Sequence, residues 1–460
     1  MITVNTFANK SIGVLGLGNS GVSAVRALVA GGSDVWAWDD VKEKRNTAEV
    51  AGVKLTDLYQ SDLSKIDALV LSPGIPDQYP EPHILTVRAK EAGCEIICDI
   101  DLLARENTQA RFVGISGTNG KSTTTALIGH ILSRANQAVE IGGNYGIPAL
   151  DLMPLDEKGT YVLEISSYQL ERVPSITLDI AILLNISPDH LERHGGMDGY
   201  IAAKKILFER IHENSITIVG MEDTHCRGIC MELMIKRGCK NIVPISASAR
   251  IPGGIYIENG MLIDDLKNTR NVVMDLHSAS TLPGEHNWQN AAAAYAAVSS
   301  IGVDPNIIKK AFKNFGGLAH RQELIQNING ILFVNDSKAT NTSAAAKALD
   351  CYDDIHWILG GQFKEESLGS LHAVLKRVAH AYLIGHDTER LSNLLETVVP
   401  VSQCGDLKTA VHEAYRNAKS TNSNIVLFSP ACASFDQFKN FETRGDAFVS
   451  IVNNLGNFPL

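Results

Sequence analysis

The segment Gly117-Thr118-Asn119-Gly120-Lys121-Ser122-Thr123 constrains this chain more than any other. The β-branched run Arg111-Phe-Val-Gly-Ile-Ser precedes it and the Ala/Leu-rich stretch TTALIGHILSRA follows, so the glycines occupy a strand-to-helix turn. That is the setting of an ATP-type phosphate loop. Its NH groups face an anion at a helix N-terminus, Lys121 neutralises β/γ oxygens, and the Ser122 hydroxyl reaches Mg²⁺. The pattern is a variant, because Ile115 stands six positions before Lys121, where glycine is usual, and Gly114 lies one residue further back. The plainer alternative is a glycine-rich turn with a solvated lysine.

A second glycine loop, Gly16-Leu-Gly18-Asn19-Ser20-Gly21, follows the strand-like SIGVL and opens the helix-like SAVRALVAGG. The next strand, DVWAWDD, ends in Asp39 and Asp40, about 20 residues on, which is the layout of a dinucleotide fingerprint. Read alone, it fits NAD, another nucleotide diphosphate, or a structural tight turn. A dehydrogenase has no use for the Lys121 loop, so the chain has to accommodate both sites.

Short β-branched runs alternate with helical stretches throughout, predicting α/β architecture with mainly parallel sheets. With 460 residues the prior is about three domains. Fresh strands begin at Ser11, Arg111 and Ile331, giving boundaries near 1–100, 101–317 and 318–460. The stretch from Ser246 to Leu282 reads as strands joined by turns, with Asn259-Gly260 a hairpin signal. Lys+Arg number 41 against Asp+Glu 51, a net charge of −10, which disfavours nucleic acid and membrane surfaces as partners. No run approaches the roughly 18 apolar residues of a membrane span. The opening MITVNTFANKSIGVLGLG reads as a first strand rather than a secretion signal, and scattered cysteines fit a reducing interior, so a cytoplasmic protein is expected. Cys226, Cys230 and Cys239 beside His225 lack paired zinc-ligand spacing and read as plain thiols.

Beyond the phosphate loop come Tyr161-Val-Leu-Glu164-Ile-Ser-Ser-Tyr-Gln-Leu, AILLNISPDHLERHGG, AAKKILFERI, PGEHNWQN, AHRQE, NDSKATN and SPACASFDQFKNFETRGDAF. With GTNGKST these strongly resemble the ATP-dependent Mur ligases, over essentially the whole chain. The last block, NDSKATN and the GLGNSG start are similar to those members that add D-glutamate to UDP-N-acetylmuramoyl-L-alanine. The resemblance implies three domains: an N-terminal Rossmann-like one for the UDP substrate, a central P-loop ATPase-like one, and a C-terminal Rossmann-like one for the amino acid. It also implies an acyl-phosphate mechanism, a cytoplasmic monomer, and uridine diphosphate rather than NAD at the first loop.

Site residues follow from the same resemblance. For ATP it implies Gly117, Thr118, Asn119, Gly120, Lys121, Ser122 and Thr123, with Asn287 and Asn290 from HNWQN, and Arg321 and Asp336 from the third domain. For Mg²⁺, at two sites, it implies Ser122, Glu164, His190 and Lys204, the lysine as a carbamate formed with CO₂. Lys121, Glu164, His190 and Lys204 form the expected catalytic set. Lys204 read without the resemblance is one charge on an amphipathic helix, and His194 is expected at the surface or behind the site. Asn19, Ser20, Asp39, Gly74, Asn144 and His190 match the UDP-substrate positions; Lys338, Thr340, Lys364, Ser434 and Phe441 match those for D-glutamate. The rivals are another Mur or folylpolyglutamate-type ligase, which the SPACASFDQF block opposes; a dehydrogenase with an ATPase domain, which lacks a redox constellation; and a non-catalytic nucleotide-binding module, which gives Glu164, His190 and Lys204 no role.

Overall fold

The computed structural model describes residues 1–50, 52–421 and 423–455. Among these, three sheets follow one another along the chain. The first runs β2-β1-β3-β4, all parallel, from β1 Ser11–Leu15, β2 Asp34–Trp38, β3 Ala68–Leu71 and β4 Glu95–Ile97. The helix Asn19–Ala30 leaves β1 through the first glycine loop, and Gly21 allows the crossing: a Cβ there would meet Gly16 O at 1.8 Å.

The second sheet has nine strands in the order β13-β12-β11-β10-β9-β8-β5-β7-β6. They are β5 Arg111–Ser116, β6 Val139–Gly143, β7 Thr160–Glu164, β8 Leu178–Leu183, β9 Ile211–Gly220, β10 Ile242–Ser246, β11 Ile255–Glu258, β12 Met261–Asp264 and β13 Asn271–Asp275. Strands β5 to β11 pair in parallel. The central strands are near-continuous apolar runs because helices cover both faces; every residue of β7 is buried. The expected insertion extends this sheet, and its Asn259-Gly260 turn joins antiparallel β11 and β12, with positive φ at both residues (50° and 75°).

The third sheet runs β14-β15-β19-β16-β17-β18, with β14 Glu323–Ile328, β15 Ile331–Asn335, β16 Ile355–Gly360, β17 Val378–Ile384, β18 Val401–Gly405 and β19 Ile425–Phe428. It is parallel except for β14, an antiparallel edge that precedes the Ile331 strand. Period-two alternation splits β16 between two cores: Trp357 and Leu359 pack on one face, Ile358 on the other with Phe428 and Phe448.

Spatially the chain divides into two compact units, Met1–Leu276 with Trp288–Lys313, and His277–Asn287 with Asn314–Leu460. The first two sheets thus share one unit. None of the described helices is long and apolar enough to cross a membrane.

Candidate active site

In parallel sheets the carboxyl ends of the strands collect on one edge, where ligands bind. Lys121–Arg134 is the helix after β5, capped by Gly120 in the left-handed region (φ 88°), and a Cβ at that position would meet Asn290 Oδ1 at 2.2 Å. The amides of Thr118 and Asn119 donate to Asn185 O (2.9 Å) and Asn185 Oδ1 (2.8 Å). The amides of the helix start lie at the positive end of that helix, the place where a helix receives an anion. Lys121 Nζ arches over its own loop, donating to Gly117 O (2.8 Å) and Thr118 O (2.9 Å). Thr123 lies in the helix's first turn. On the following turn Thr124 Oγ1 donates to Asn290 Oδ1 at 3.3 Å, bringing Asn290 to this loop. Asn287 groups with the other unit, donating to Pro283 O at 2.8 Å.

Glu164 ends β7 beside the loop, buried, with both oxygens engaged: Ser122 Oγ donates to Oε2 at 2.6 Å and Asn144 Nδ2 to Oε1 at 2.8 Å. A carboxylate and a hydroxyl so held are a hard oxygen set suited to Mg²⁺. Lys204, on the helix Met197–Lys205, is 1% exposed; its Nζ donates to Gly117 O at 2.9 Å and lies 4.6 Å from the Tyr200 ring centroid. Burial, reinforced by Lys121, pushes its pKa well below the usual lysine value. A lowered amine pKa raises the share of the unprotonated form, the one that adds CO₂, so the chemistry of this lysine fits a carbamate.

His190 is exposed, has φ 52°, and places Nε2 3.5 Å from Asp189 Oδ2. Partial desolvation, together with Lys121 and Lys204 and against Asp189, shifts its pKa below the ordinary imidazole value. Of the two positions expected for His194, at the surface or behind the site, the structure has the second: it is buried, bonded to Ser167 Oγ at 2.9 Å and stacked on Tyr168. The Tyr200 and Thr118 hydroxyls lie 3.0 Å apart, so Tyr200 ties the Lys204 helix to the loop. Asp189, Tyr200 and Asn185 were not singled out from sequence; Asp189 and Asn185 sit within the NISPDH motif, but Tyr200 carries no comparable signal.

At the first glycine loop, Asn19 and Ser20 open the helix after Gly18. Asp39 spends its carboxylate on main-chain amides, accepting from Leu17 N (2.7 Å) and Val41 N (2.8 Å). Its neighbour Asp40 meets Tyr59 Oη (3.1 Å) and His83 Nε2 (2.7 Å). The segment around Gly74 is fixed from the central sheet's side. Arg172 donates to Ser72 O (3.1 Å) and Ile75 O (2.8 Å), and Arg193 to Ile75 O (3.2 Å).

In the second unit most of the remaining residues follow carboxyl ends of the third sheet, while Arg321 precedes β14 and Phe441 opens the helix Phe441–Leu455. Asp336, just after β15, accepts from Gln322 N (3.2 Å) and Ser429 Oγ (2.7 Å), and burial raises its pKa to about 7. Arg321 lies between His320 and Gln322, both in the left-handed region (φ 62° and 45°). Lys338 stands 4.0 Å from the Phe441 ring centroid, and Ser337 Oγ donates to Phe441 O at 2.8 Å. Thr340 is half-buried, Lys364 exposed, and Ser434 buried in the loop after β19.

Comparison with known proteins agrees along the whole length. Residues 10–98 match the Mur ligase MurD-like N-terminal domain, 115–298 the Mur ligase middle domain, and 320–432 the Mur ligase glutamate ligase domain. The UDP-N-acetylmuramoylalanine–D-glutamate ligase of Rhodospirillum rubrum is 48% identical, covering 99% of this chain and 97% of its own. Its namesake from a Caulobacter species is 46% identical over 99% and 98%. Among solved structures, the UDP-N-acetylmuramate-alanine ligase of Thermotoga maritima shares the fold at TM-score 0.60 and 16% identity, covering 97% of this chain and all of that one. The MurF ligase of the same organism, solved with ADP, aligns at TM-score 0.55 and 16% identity over 87% and 100%. The chain belongs to the Mur ligase family.

Proposed function

We propose that the protein joins D-glutamate to UDP-N-acetylmuramoyl-L-alanine with cleavage of ATP to ADP and phosphate, as a monomer acting on a cytoplasmic cell-wall precursor. Supporting it is the convergence of Ser122, Glu164, Asn144 and buried Lys204 on one phosphate loop, in a chain matched end to end by D-glutamate ligases. Residues 1–100 are assigned to the UDP substrate, 101–317 to ATP and 318–460 to the amino acid.

The chemistry needs activation because a carboxylate is a poor electrophile. The alanyl carboxylate oxygen takes the γ-phosphoryl group from ATP, and ADP leaves. The D-glutamate amine then attacks the carbonyl carbon, a tetrahedral intermediate forms, the C–O bond breaks with release of phosphate, and the nitrogen loses a proton. Mg²⁺, when bound, neutralises the charge gathered on the phosphoryl oxygens. Ser122 and Glu164 are assigned to one ion, His190 and the Lys204 carbamate to a second. Lys121 and the helix-start amides orient the transferred group. Asn290 positions the loop, and Arg321, Asp336 and Asn287 are assigned to the nucleotide. Asn19, Ser20, Asp39 and Gly74 shape the diphosphate turn, with Asn144 and His190 beside the muramoyl-alanine end. Lys338, Thr340, Lys364, Ser434 and Phe441 receive D-glutamate, whose two carboxylates call for cations and hydroxyl donors.

The test is phosphate release from ATP in the presence of the UDP-sugar acid and, separately, D-glutamate, L-glutamate, L-lysine or diaminopimelate. Release with D-glutamate alone among the four is expected. Release with a different acceptor overturns the assignment of D-glutamate, and release with none overturns the ligase reading.

A further inference from the structure

Arg444 lies in the first turn of the helix Phe441–Leu455 and is 1% exposed. Its Nη2 donates to Ser337 O (2.9 Å), its Nε to Ser337 Oγ (3.1 Å), and its Nη1 to Cys432 O (3.0 Å) and Gly360 O (3.5 Å). Every acceptor is an uncharged carbonyl or hydroxyl. Neutral groups meet the hydrogen bonds of the guanidinium, and its charge is balanced only in part, by the Phe428 ring 5.9 Å away and by Asp436, a costly state for a buried ion. Burial lowers its pKa to about 10, with the Cys432 thiol and the Asp436 carboxylate opposing, so it remains a cation at neutral pH. Its position adds to the imbalance: a helix N-terminus is already electropositive and disfavours a cation in its first turn.

The acceptors identify what the charge serves. Ser337 immediately precedes Lys338, Gly360 opens the turn leading to Lys364, and Cys432 stands two residues before Ser434. One side chain therefore ties together the loops after β15 and β19 and the last residue of β16, where the third loop begins. Those loops carry Lys338, Lys364 and Ser434, and Phe441 begins the helix of the arginine itself.

We propose that Arg444 is the positioning residue that selects a dicarboxylate acceptor: it ties the three acceptor loops into one rim and gives that rim a fixed positive charge. The inference rests on the reading of D-glutamate as acceptor. Because the guanidinium is buried behind the loops, it acts on the amino acid through its field and through loop geometry. An acceptor with a neutral side chain gains the geometry and not the field.

The experiment uses the full chain and compares kcat/KM for D-glutamate with that for D-glutamine, whose side chain is uncharged. Arg444→Gln keeps N–H donors and loses the charge; the D-glutamate to D-glutamine preference is expected to fall at least about tenfold, with KM for ATP unchanged. Arg444→Lys keeps the charge and loses the fork; both rates fall while the preference stays within about threefold. A parallel loss of both rates in Arg444→Gln, at constant preference, overturns the proposal and leaves Arg444 a structural clamp. Should Arg444→Gln fail to fold, Cys432→Asp sets a carboxylate against the intact clamp. Collapse of the preference then supports the proposal, and an unchanged preference overturns it. Unmutated protein that releases no phosphate with D-glutamate refutes the acceptor assignment itself, which is a different outcome.

Discussion

Both oxygens of Glu164 are held by side chains from other elements, Ser122 at the helix start and Asn144 after β6. Such a carboxylate is oriented in advance, so little is lost in reorganising it around a cation. Glu164→Gln replaces an acceptor pair by an amide and removes one charge. The Mg²⁺ concentration for half-maximal phosphate release is expected to rise at least about tenfold; an unchanged requirement contradicts a metal role. At this scale the sequence was readable where chemistry lies in a contiguous motif: Lys121 and Ser122 sit in the loop itself, and Glu164 closes a recognisable strand. It was silent on Arg444 and Arg172. A buried cation and a surface cation are the same letter, and only partners about 100 residues away tell them apart.

The β1-loop-helix unit shows what an element demands of single positions. At Gly21 a Cβ would overlap Gly16 O, and this backbone contact cannot relax as a side chain can. Gly21→Ala is expected to lose about 3 kcal/mol of stability in urea unfolding and to weaken binding of the UDP substrate, because the loop has to move. Near-unmutated stability contradicts the close packing. Local elements were legible for the same kind of reason: a two-residue Asn259-Gly260 turn accepts positive φ at both positions and fixes the hairpin between β11 and β12. Which strands become neighbours was not legible. β5 pairs with β7 and β8 rather than β6, and nothing in the periodicity of these apolar runs encodes that order.

Across the larger unit, Arg172 joins the stretch after β3 to the central sheet through two carbonyls and Asp77 Oδ1 at 2.7 Å. Burial pushes the Asp77 carboxyl up, but Arg172 outweighs it and the pKa ends below the ordinary value. Arg172→Met removes the charge-assisted bond to Asp77, leaving Lys90 Nζ at 3.7 Å as its cation, and is expected to cost about 2 kcal/mol at neutral pH, read from thermal unfolding. A group whose folded pKa is depressed stabilises above its unfolded value, near 3.9, and loses that contribution as pH falls through the folded value. The gap between variant and unmutated protein therefore closes in strong acid; an equal gap at pH 7 and about pH 2 contradicts the pairing. The three-sheet plan was legible from the restarts at Ser11, Arg111 and Ile331. The attachment of His277–Asn287 to the second unit was not, since it cuts through the first residues of the helix Glu285–Ser300.

The strand order of the third sheet bears on how the protein is made. β19 lies between β15 and β16, yet it is the last strand of that sheet to leave the ribosome. Until Ile425–Phe428 has been synthesised, the two flanking halves have no middle to pair with, and β15 and β16 each present an unpaired edge open to wrong pairing. A message cut short before that point yields a product that lacks the keystone, and with it the loop of Ser434 and the clamp of Arg444.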